Sequence, residues 1–333
     1  EGGMLSIDWD VTDQITLRSI TATREDFTES VIDFDSLPAD DFDAPVIYDN
    51  EQFSQEFQLL YNTDRWNLVL GYYYLDSEAA NDFDVVLGQI IPGGLTAYTG
   101  GVVETEAWSV FGDLTYDLTD RLSLSVGGRY TEDERRADIF RANYLGVGSP
   151  AFGVENAIEI AVNSDYEADR TFYDFSPRVN LSYTINDDLM VYGGYSEGWK
   201  AGSFDPRGAN FATPAVEQGF DDEQLNSWEV GFKSTYLGGK AVTNVALFYS
   251  DYLDVQIPGS VGTDSDGDGV NDGFVGTVTN AGEATISGIE IEGSLLLTRA
   301  LSLQYSASFL DAGFDEYLIG DIDVSDERTI QNT

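Results

Sequence analysis

Paired stretches of alternating apolar and polar residues recur along this chain, and a very short polar tip joins the two members of each pair. Residues 176–199 are typical. Val179, Leu181 and Tyr183 alternate there with polar residues, and the alternation resumes after a tip at residues 186–188. A period of two predicts β-strands, because successive side chains of a strand point to opposite faces. Each arm reaches about ten residues, the length that a tilted strand needs to cross a bilayer.

The connections between these predicted strands differ at the two ends of each hairpin. Outer-membrane barrels have short periplasmic turns and long extracellular loops, whereas soluble β-sandwiches mix loop lengths at both ends. The sequence therefore predicts an all-β protein, a transmembrane antiparallel β-barrel with about twelve strands in this chain. Short tips are predicted at residues 10–13, 62–64, 118–120, 186–188, 237–239 and 298–300, and long returns at residues 24–50, 76–103, 132–170 and 200–222.

The composition of the chain excludes most kinds of catalytic and metal-binding site. The 333 residues contain no cysteine and no histidine, which excludes disulfides, thiolate metal sites and the commonest zinc ligands and general bases. The formal net charge of −44 would repel a phosphate backbone, so a nucleic-acid partner is not expected. We therefore predict a protein that is not an enzyme and that requires no cofactor.

The two faces of each predicted strand indicate what they contact. The apolar face is predicted to meet outer-membrane lipid, and the polar face to line the lumen of the barrel. Glu290 and Glu292 lie two residues apart on one polar face. Because no cleft or partner accompanies them, we interpret them as lumen-lining residues rather than as an acid–base pair. The lumen-facing candidates are Arg129, Arg178, Lys233, Glu290 and Glu292.

Aromatic residues indicate where the strands leave the membrane. Rings with a polar edge suit the lipid–water interface, and the five Trp residues, including Trp108 and Trp228, are predicted to lie near strand ends. Glu197, Trp199 and Lys200 end one strand at the predicted outer rim. We interpret Trp199 as an interfacial residue flanked by charges, with contact to a ligand as the alternative.

An Asp/Gly-rich stretch has the spacing of a calcium loop. Oxygen-bearing residues alternate, and a glycine occupies the sixth position, where such a loop turns sharply. The twelfth position carries no Glu, so the bidentate ligand of an EF-hand is lacking. The alternative is a flexible loop without a bound ion. The candidate ligands are Asp264, Asp266, Asp268, the Val270 carbonyl and Asp272.

Several of these stretches also carry a family resemblance. They occur in order over most of the chain and resemble the barrel domain of TonB-dependent outer-membrane receptors. No single one is as diagnostic as a metal-ligand signature, but five in order are a specific signal. The stretches are FSQEFQLLYNTDRWNLVLGYYY (53–74), AWSVFGDLTYDLTDRLSLSVGGRYTEDER (107–135), FSPRVNLSYTINDDLMVYGGYSEGWKAGSF (175–204), NSWEVGFKSTYLGGKAVTNVALFYSDYLDVQ (226–256) and NAGEATISGIEIEG (280–293).

The resemblance implies a barrel of about 22 strands, plugged by an N-terminal domain. It also implies import of ferric siderophores or other scarce large nutrients across the outer membrane of a Gram-negative bacterium, with energy from TonB. The expected partners are lipid, TonB and an iron–siderophore complex. Residues 1–333 lack a plug-like region and a final aromatic-ended strand. We therefore expect them to be the middle of one barrel, with TonB contacted through the missing N-terminal region.

Two alternatives remain open at this point. Beside the receptor, the chain could be a complete small barrel that acts as a passive porin-like channel, or a secreted calcium-binding β protein. A plug encoded upstream favours the receptor over the channel. Solubility of the natural protein without detergent favours the secreted protein.

Overall fold

In the described residues, thirteen antiparallel strands form one sheet in which each strand pairs with its neighbours in sequence. The computed structural model describes residues 1–38, 41–89, 91–208, 216–263, 273–319 and 322–330. The strands are β1 (Gly2–Asp10), β2 (Ile15–Asp33), β3 (Phe42–Asn62), β4 (Trp66–Leu87), β5 (Leu95–Thr119), β6 (Leu122–Leu145), β7 (Ile158–Asn186), β8 (Leu189–Lys200), β9 (Glu223–Tyr236), β10 (Ala241–Thr263), β11 (Gly273–Thr298), β12 (Leu301–Ile319) and β13 (Ile322–Asp323). The predicted all-β antiparallel architecture is confirmed.

Short polar turns join the strands at one end of the sheet, as predicted. In the turn before β4, the Trp66 N–H donates to Thr63 Oγ1 over 2.9 Å. The turn before β8 is closed in the same way, because the Asp188 N–H donates to Asn186 Oδ1 over 2.9 Å. Side chains that accept from the backbone a few residues later favour tight turns. The turn before β10 also uses left-handed backbone at Gly238, with φ 66°.

The opposite end of the sheet differs from the prediction, because much of what was expected to be loop is strand. β6 continues to Leu145 and β7 begins at Ile158, so most of the predicted loop 132–170 belongs to a continuous ladder. The predicted loops 24–50 and 76–103 are shortened in the same way. Above the membrane both faces of a strand meet water, so the alternation that marks a lipid-crossing strand is lost. The connections there at residues 34–41, 88–94, 146–157 and 201–222 are still longer than the opposite turns.

The apolar rows face outward and are exposed, as a lipid-facing wall requires. Val179 is 41% exposed, Val230 55% and Phe57 53%. Because residues directly opposite each other in an antiparallel pair lie on the same face, the register joins Val179, Tyr195, Trp228 and Tyr249 into one outward row. These rows do not face one another across a sealed interior, as they would in a soluble β-sandwich.

Aromatic residues form two bands on this outward face. The band nearer the short turns contains Trp9, Tyr61, Trp66, Tyr116, Tyr183 and Tyr236, and the outer band contains Tyr74, Trp108, Tyr130, Phe175, Tyr195, Trp228 and Tyr249. Trp66 and Tyr116 pack with ring centroids 4.1 Å apart. From Trp66 to Tyr74 the strand runs about 26 Å along its own axis, which spans about 20 Å of membrane thickness at the strand tilt of outer-membrane barrels.

The positions of two Trp residues correct one prediction. Trp108 and Trp228 lie within β5 and β9 rather than near the ends of those strands. The reason is that these strands continue past the outer aromatic band into water, so the edge of the membrane is not the end of the strand.

Within the described residues the sheet stays open, with β1 and β13 at the two ends of the strand order. The described residues contain no helix long and apolar enough to span a membrane.

Candidate functional site

The five lumen-facing candidates share the face that is opposite to the apolar rows. Arg178 lies opposite Gly127 and Ser196, and the alternation along each strand places the remaining candidates on the same side. Arg129 is on β6, Lys233 on β9, and Glu290 and Glu292 on β11. The register therefore brings both signs of charge onto one continuous wall.

Neighbouring polar groups partner most of these charges. Arg178 Nε lies 2.6 Å from Asp113 Oδ2, and Asn244 Nδ2 donates to Glu292 Oε1 over 2.9 Å. The guanidinium of Arg129 lies 5.3 Å from the centre of the Tyr73 ring, a cation–π distance. Among the described residues, no cluster of three or more carboxylates is arranged to hold a metal ion. This wall is suited to contact water and polar solutes.

The predicted rim residues are divided between the two faces of β8. Glu197 and Trp199 lie on the side of the apolar rows, where Trp199 Nε1 donates to Asp222 Oδ2 over 2.8 Å. Lys200 lies on the lumen side, with its Nζ 3.2 Å from Glu223 Oε1. The indole is therefore bound to the residue that directly precedes β9.

The candidate calcium ligands Asp264, Asp266, Asp268, Val270 and Asp272 lie outside the described residues. The calcium loop therefore stays a prediction. Limited proteolysis at residues 264–272 with calcium and with a chelator tests it, and calcium is expected to slow cutting there.

The sequence did not indicate a loop that packs onto the outer end of the lumen face. Residues 201–208 and 216–222, here called the mouth loop, connect β8 to β9 and fold onto the lumen face of β5, β6 and β7. Phe204 and Val216 of the loop pack against the strand residues Ala137, Ile139 and Tyr166 in one buried cluster. Ile139 is 1% exposed and Phe204 4%. A small apolar core therefore lies inside the mouth of the predicted barrel.

Two arginines of the wall hold the mouth loop by its backbone. Arg141 donates from Nε to Thr99 Oγ1 over 3.1 Å and from Nη1 to the Gly208 carbonyl over 3.3 Å. Arg170 Nη1 donates to the carbonyls of Gln218 and Phe220 over 2.9 and 3.1 Å. Burial lowers the pKa of Arg141, an effect that Asp205 of the loop counters. Hydrogen bonds from a charged donor are among the stronger ones.

A buried carboxyl holds the neighbouring connection between β6 and β7. Asp84 is fully buried, and its Oδ2 accepts from the Ser149 N–H over 2.8 Å. The Gly148 N–H donates to Thr96 Oγ1 over 2.7 Å. Burial raises the pKa of Asp84 above its usual value, because the charged form is poorly solvated there.

The Asp84→Asn substitution is expected to stabilise this connection at neutral pH. An acid whose pKa is raised by folding stabilises the fold fully below its unfolded pKa, near 3.9, and loses that contribution as pH rises through the folded pKa. The amide oxygen still accepts from the Ser149 N–H, but no charge is buried. Hydrogen exchange at Ser149 should accelerate several-fold between pH 4 and 7 in the wild type, after correction for intrinsic exchange, and much less in the variant. Equal pH dependence in both proteins would contradict this prediction.

The lipid-facing wall, the polar lumen face and the short turns at one end define an outer-membrane β-barrel. Residues 2–331 match the sequence family described as TonB dependent receptor-like, beta-barrel. The chain belongs to this TonB-dependent receptor family, as part of its barrel domain. The predicted family resemblance is therefore confirmed, and it favours a receptor over the porin-like and secreted alternatives.

Individual relatives agree with this assignment. The chain is 25% identical over 195 residues to the pesticin receptor of Yersinia enterocolitica. These aligned residues are 58% of this chain and 24% of that receptor. Its fold is similar to the ferric yersiniabactin uptake receptor FyuA from Yersinia pestis, with a TM-score of 0.71, 18% identity and coverage of 97% of this chain and 44% of that one. The siderophore receptor PiuA from Acinetobacter baumannii gives a TM-score of 0.66 at 14% identity, with coverage of 99% and 48%. The chain thus spans less than half the length of these relatives.

Proposed function

We propose that this chain forms part of the wall of an outer-membrane receptor that imports a ferric siderophore or a similar iron complex with energy from TonB. The observation that carries the proposal is the mouth loop, which occupies the lumen face at the outer end of a lipid-facing wall. A passive pore needs an open lumen, whereas a receptor needs side chains at its entrance that meet the ligand. The mixed charges of the lumen face provide a polar path below that entrance.

The relatives support this class of cargo. Two of them are named for siderophores or their iron complexes, and the family assignment implies energy transfer through TonB. At 18% and 14% identity these structures share the fold with this chain, so the family rather than any shared ligand residue supports the cargo. We place the plug, the remaining strands and the TonB-contacting region in other parts of the same receptor.

The complete receptor is expected to support energy-dependent iron uptake. Cells that lack the receptor would be supplied with ferric complexes of known siderophores, and iron accumulation would be measured with and without the gene. Uptake should be saturable, and it should fall to the level of receptor-free cells when TonB is deleted, because the inner membrane supplies the energy. Receptor-dependent uptake that persists without TonB would instead support a passive channel.

A further inference from the structure

Sequence stretches that carry the family resemblance end beside one another at the outer rim of the sheet. The stretches at 226–256 and 280–293 supply Gln256 and Asn280 to a polar cluster on the lumen face, where the mouth loop leaves β8 and enters β9. We call Glu223, Gln256 and Asn280 the anchor cluster. These residues are far apart in sequence, so the structure alone brings them together.

Both polar atoms of the Asn280 side-chain amide form hydrogen bonds with backbone groups. Its Oδ1 accepts from the Asp221 N–H over 2.7 Å. Its Nδ2 donates to the carbonyls of Asp221, Asp222 and Asp254 over 2.8, 3.2 and 2.9 Å. One side chain of β11 therefore holds the end of the mouth loop and a bulge of β10 together.

Backbone geometry explains why the Asp254 carbonyl is available. The register of β10 against β11 shifts between Tyr252 and Val255, and Asp254 has left-handed backbone with φ 53°. A bulge leaves one residue out of the ladder and turns its polar groups away from the neighbouring strand. The Asn280 amide takes the place of the backbone N–H of a neighbouring strand as the donor to the Asp254 carbonyl.

The other two residues extend the cluster to both ends of the mouth loop. Gln256 Nε2 donates to the carbonyls of Ala201 and Asp221 over 2.9 and 3.0 Å. Glu223, only 5% exposed, accepts from the Gln256 N–H over 2.8 Å and from the Tyr252 hydroxyl over 2.7 Å. Ala201 and Asp221 are the first residue and the next-to-last residue of the loop, so its two ends are fixed to the same place.

We infer that Asn280, with Gln256 and Glu223, is a positioning residue that makes the mouth loop a fixed part of the entrance. The anchor cluster holds the loop on the side of β10 and β11. Arg141 and Arg170 hold it on the side of β6 and β7. A loop fixed on both sides offers the same surface to every ligand, so it selects ligands by shape. This consequence for ligand choice rests on the proposed function, whereas the fixed position of the loop does not.

Trypsin provides a direct test, because the loop carries one arginine on its described part. The carbonyls of Arg207 and Gly208 accept from Arg141, so the Arg207–Gly208 bond is held against the wall and should resist cleavage. In the complete receptor in detergent, Asn280→Ala should accelerate cleavage after Arg207 roughly tenfold or more, the factor expected from losing more than one hydrogen bond. Mass spectrometry identifies the cut, and heat-modifiable migration in gels reports the intact barrel.

The matched control is Asn244→Ala, which removes another asparagine from the same sheet. Asn244 donates to Glu292 on the open wall, away from the mouth loop, so cleavage after Arg207 should match the wild type. If Asn280→Ala fails to assemble, Gln256→Ala removes the bonds to Ala201 and Asp221 and should give the same selective cut. Wild-type resistance in both anchor variants, or cuts spread equally to Arg129 and Arg178 in the strands, would overturn the inference.

Iron uptake separates this inference from the proposed function. If the receptor imports a ferric complex, Asn280→Ala should raise the concentration needed for half-maximal uptake several-fold while surface amounts stay equal. If the wild type shows no TonB-dependent uptake of any ferric complex tried, the proposed function is wrong. The selective cut after Arg207 would still establish the anchor.

Discussion

Replacing Val179 by Arg is expected to prevent most of the receptor from assembling, whereas the same change at the adjacent Asn180 is expected to be tolerated. Val179 lies on the outward row of β7 and is 41% exposed. It is midway between the aromatic residues Phe175 and Tyr183. A charge at the middle of the lipid-facing wall costs about 2–4 kcal/mol. Asn180 points to the lumen, where Glu229 lines the same depression and can partner a new guanidinium.

Folding of the complete receptor into lipid vesicles measures this difference. The fraction that reaches the heat-modifiable form would be followed against urea concentration for the wild type and both variants. The two substitutions introduce the same side chain at neighbouring positions, so the size and propensity of the introduced residue are matched. Equal loss in both variants, or a larger loss for Asn180→Arg, would mean that the faces have been assigned the wrong way round.

The second large effect is expected at the small core under the mouth loop. Phe204 is 4% exposed and packs with Ile139, Tyr166 and Val216. Truncating a buried Phe to Ala costs about 3–5 kcal/mol. Because this core joins only the loop to the wall, Phe204→Ala should release the loop and leave the barrel intact. Hydrogen exchange at residues 201–208 should accelerate by at least about tenfold, and the strands below should keep their protection.

The control for this substitution is Phe27→Ala. Phe27 lies on the part of β2 that extends past the outer aromatic band and is 64% exposed, so removing its ring should change exchange little. Loss of protection throughout the strands in Phe204→Ala would show that the core supports the whole sheet. Unchanged exchange in the loop would show that the loop is held by its hydrogen bonds alone.

Much of the architecture was predictable because contact with lipid and the formation of tight turns each require a recognisable pattern of residues in the sequence. Inside a membrane every second side chain must be apolar, so rows such as that of Val179 on β7 are visible in the sequence. Turns of two or three residues need side chains that satisfy the backbone, which is why Asn186 and Thr63 mark them. Both signals are local, and together they predicted the paired strands.

The extracellular half was harder to predict because neither signal operates there. Residues 132–141 of β6 are mostly charged on both faces, although they pair continuously with β5 and β7. Where water covers both faces, nothing in the alternation distinguishes a strand from a polar loop. The prediction of long loops at residues 76–103 and 132–170 failed for this reason.

The mouth loop and its anchor could not be predicted because their contacts join residues distant in sequence. Asn280 and Asp221 are 59 residues apart, and Arg141 and Gly208 are 67 apart. The stretch at 280–293 was recognised by resemblance, but its role depends on a bulge in another strand. A single Asn followed by Ala and Gly gives no indication of which carbonyls it binds.

The length of the strands determines how far the outer end of the wall stands from the membrane. β7 contains 29 residues, and about ten suffice to cross the hydrocarbon layer. The remainder carries the entrance well beyond the lipid headgroups. A solute that approaches this end meets it in bulk water at the ionic strength of the surroundings, where charges more than about 8 Å apart are largely screened. Over that approach, long-range attraction between charges contributes little.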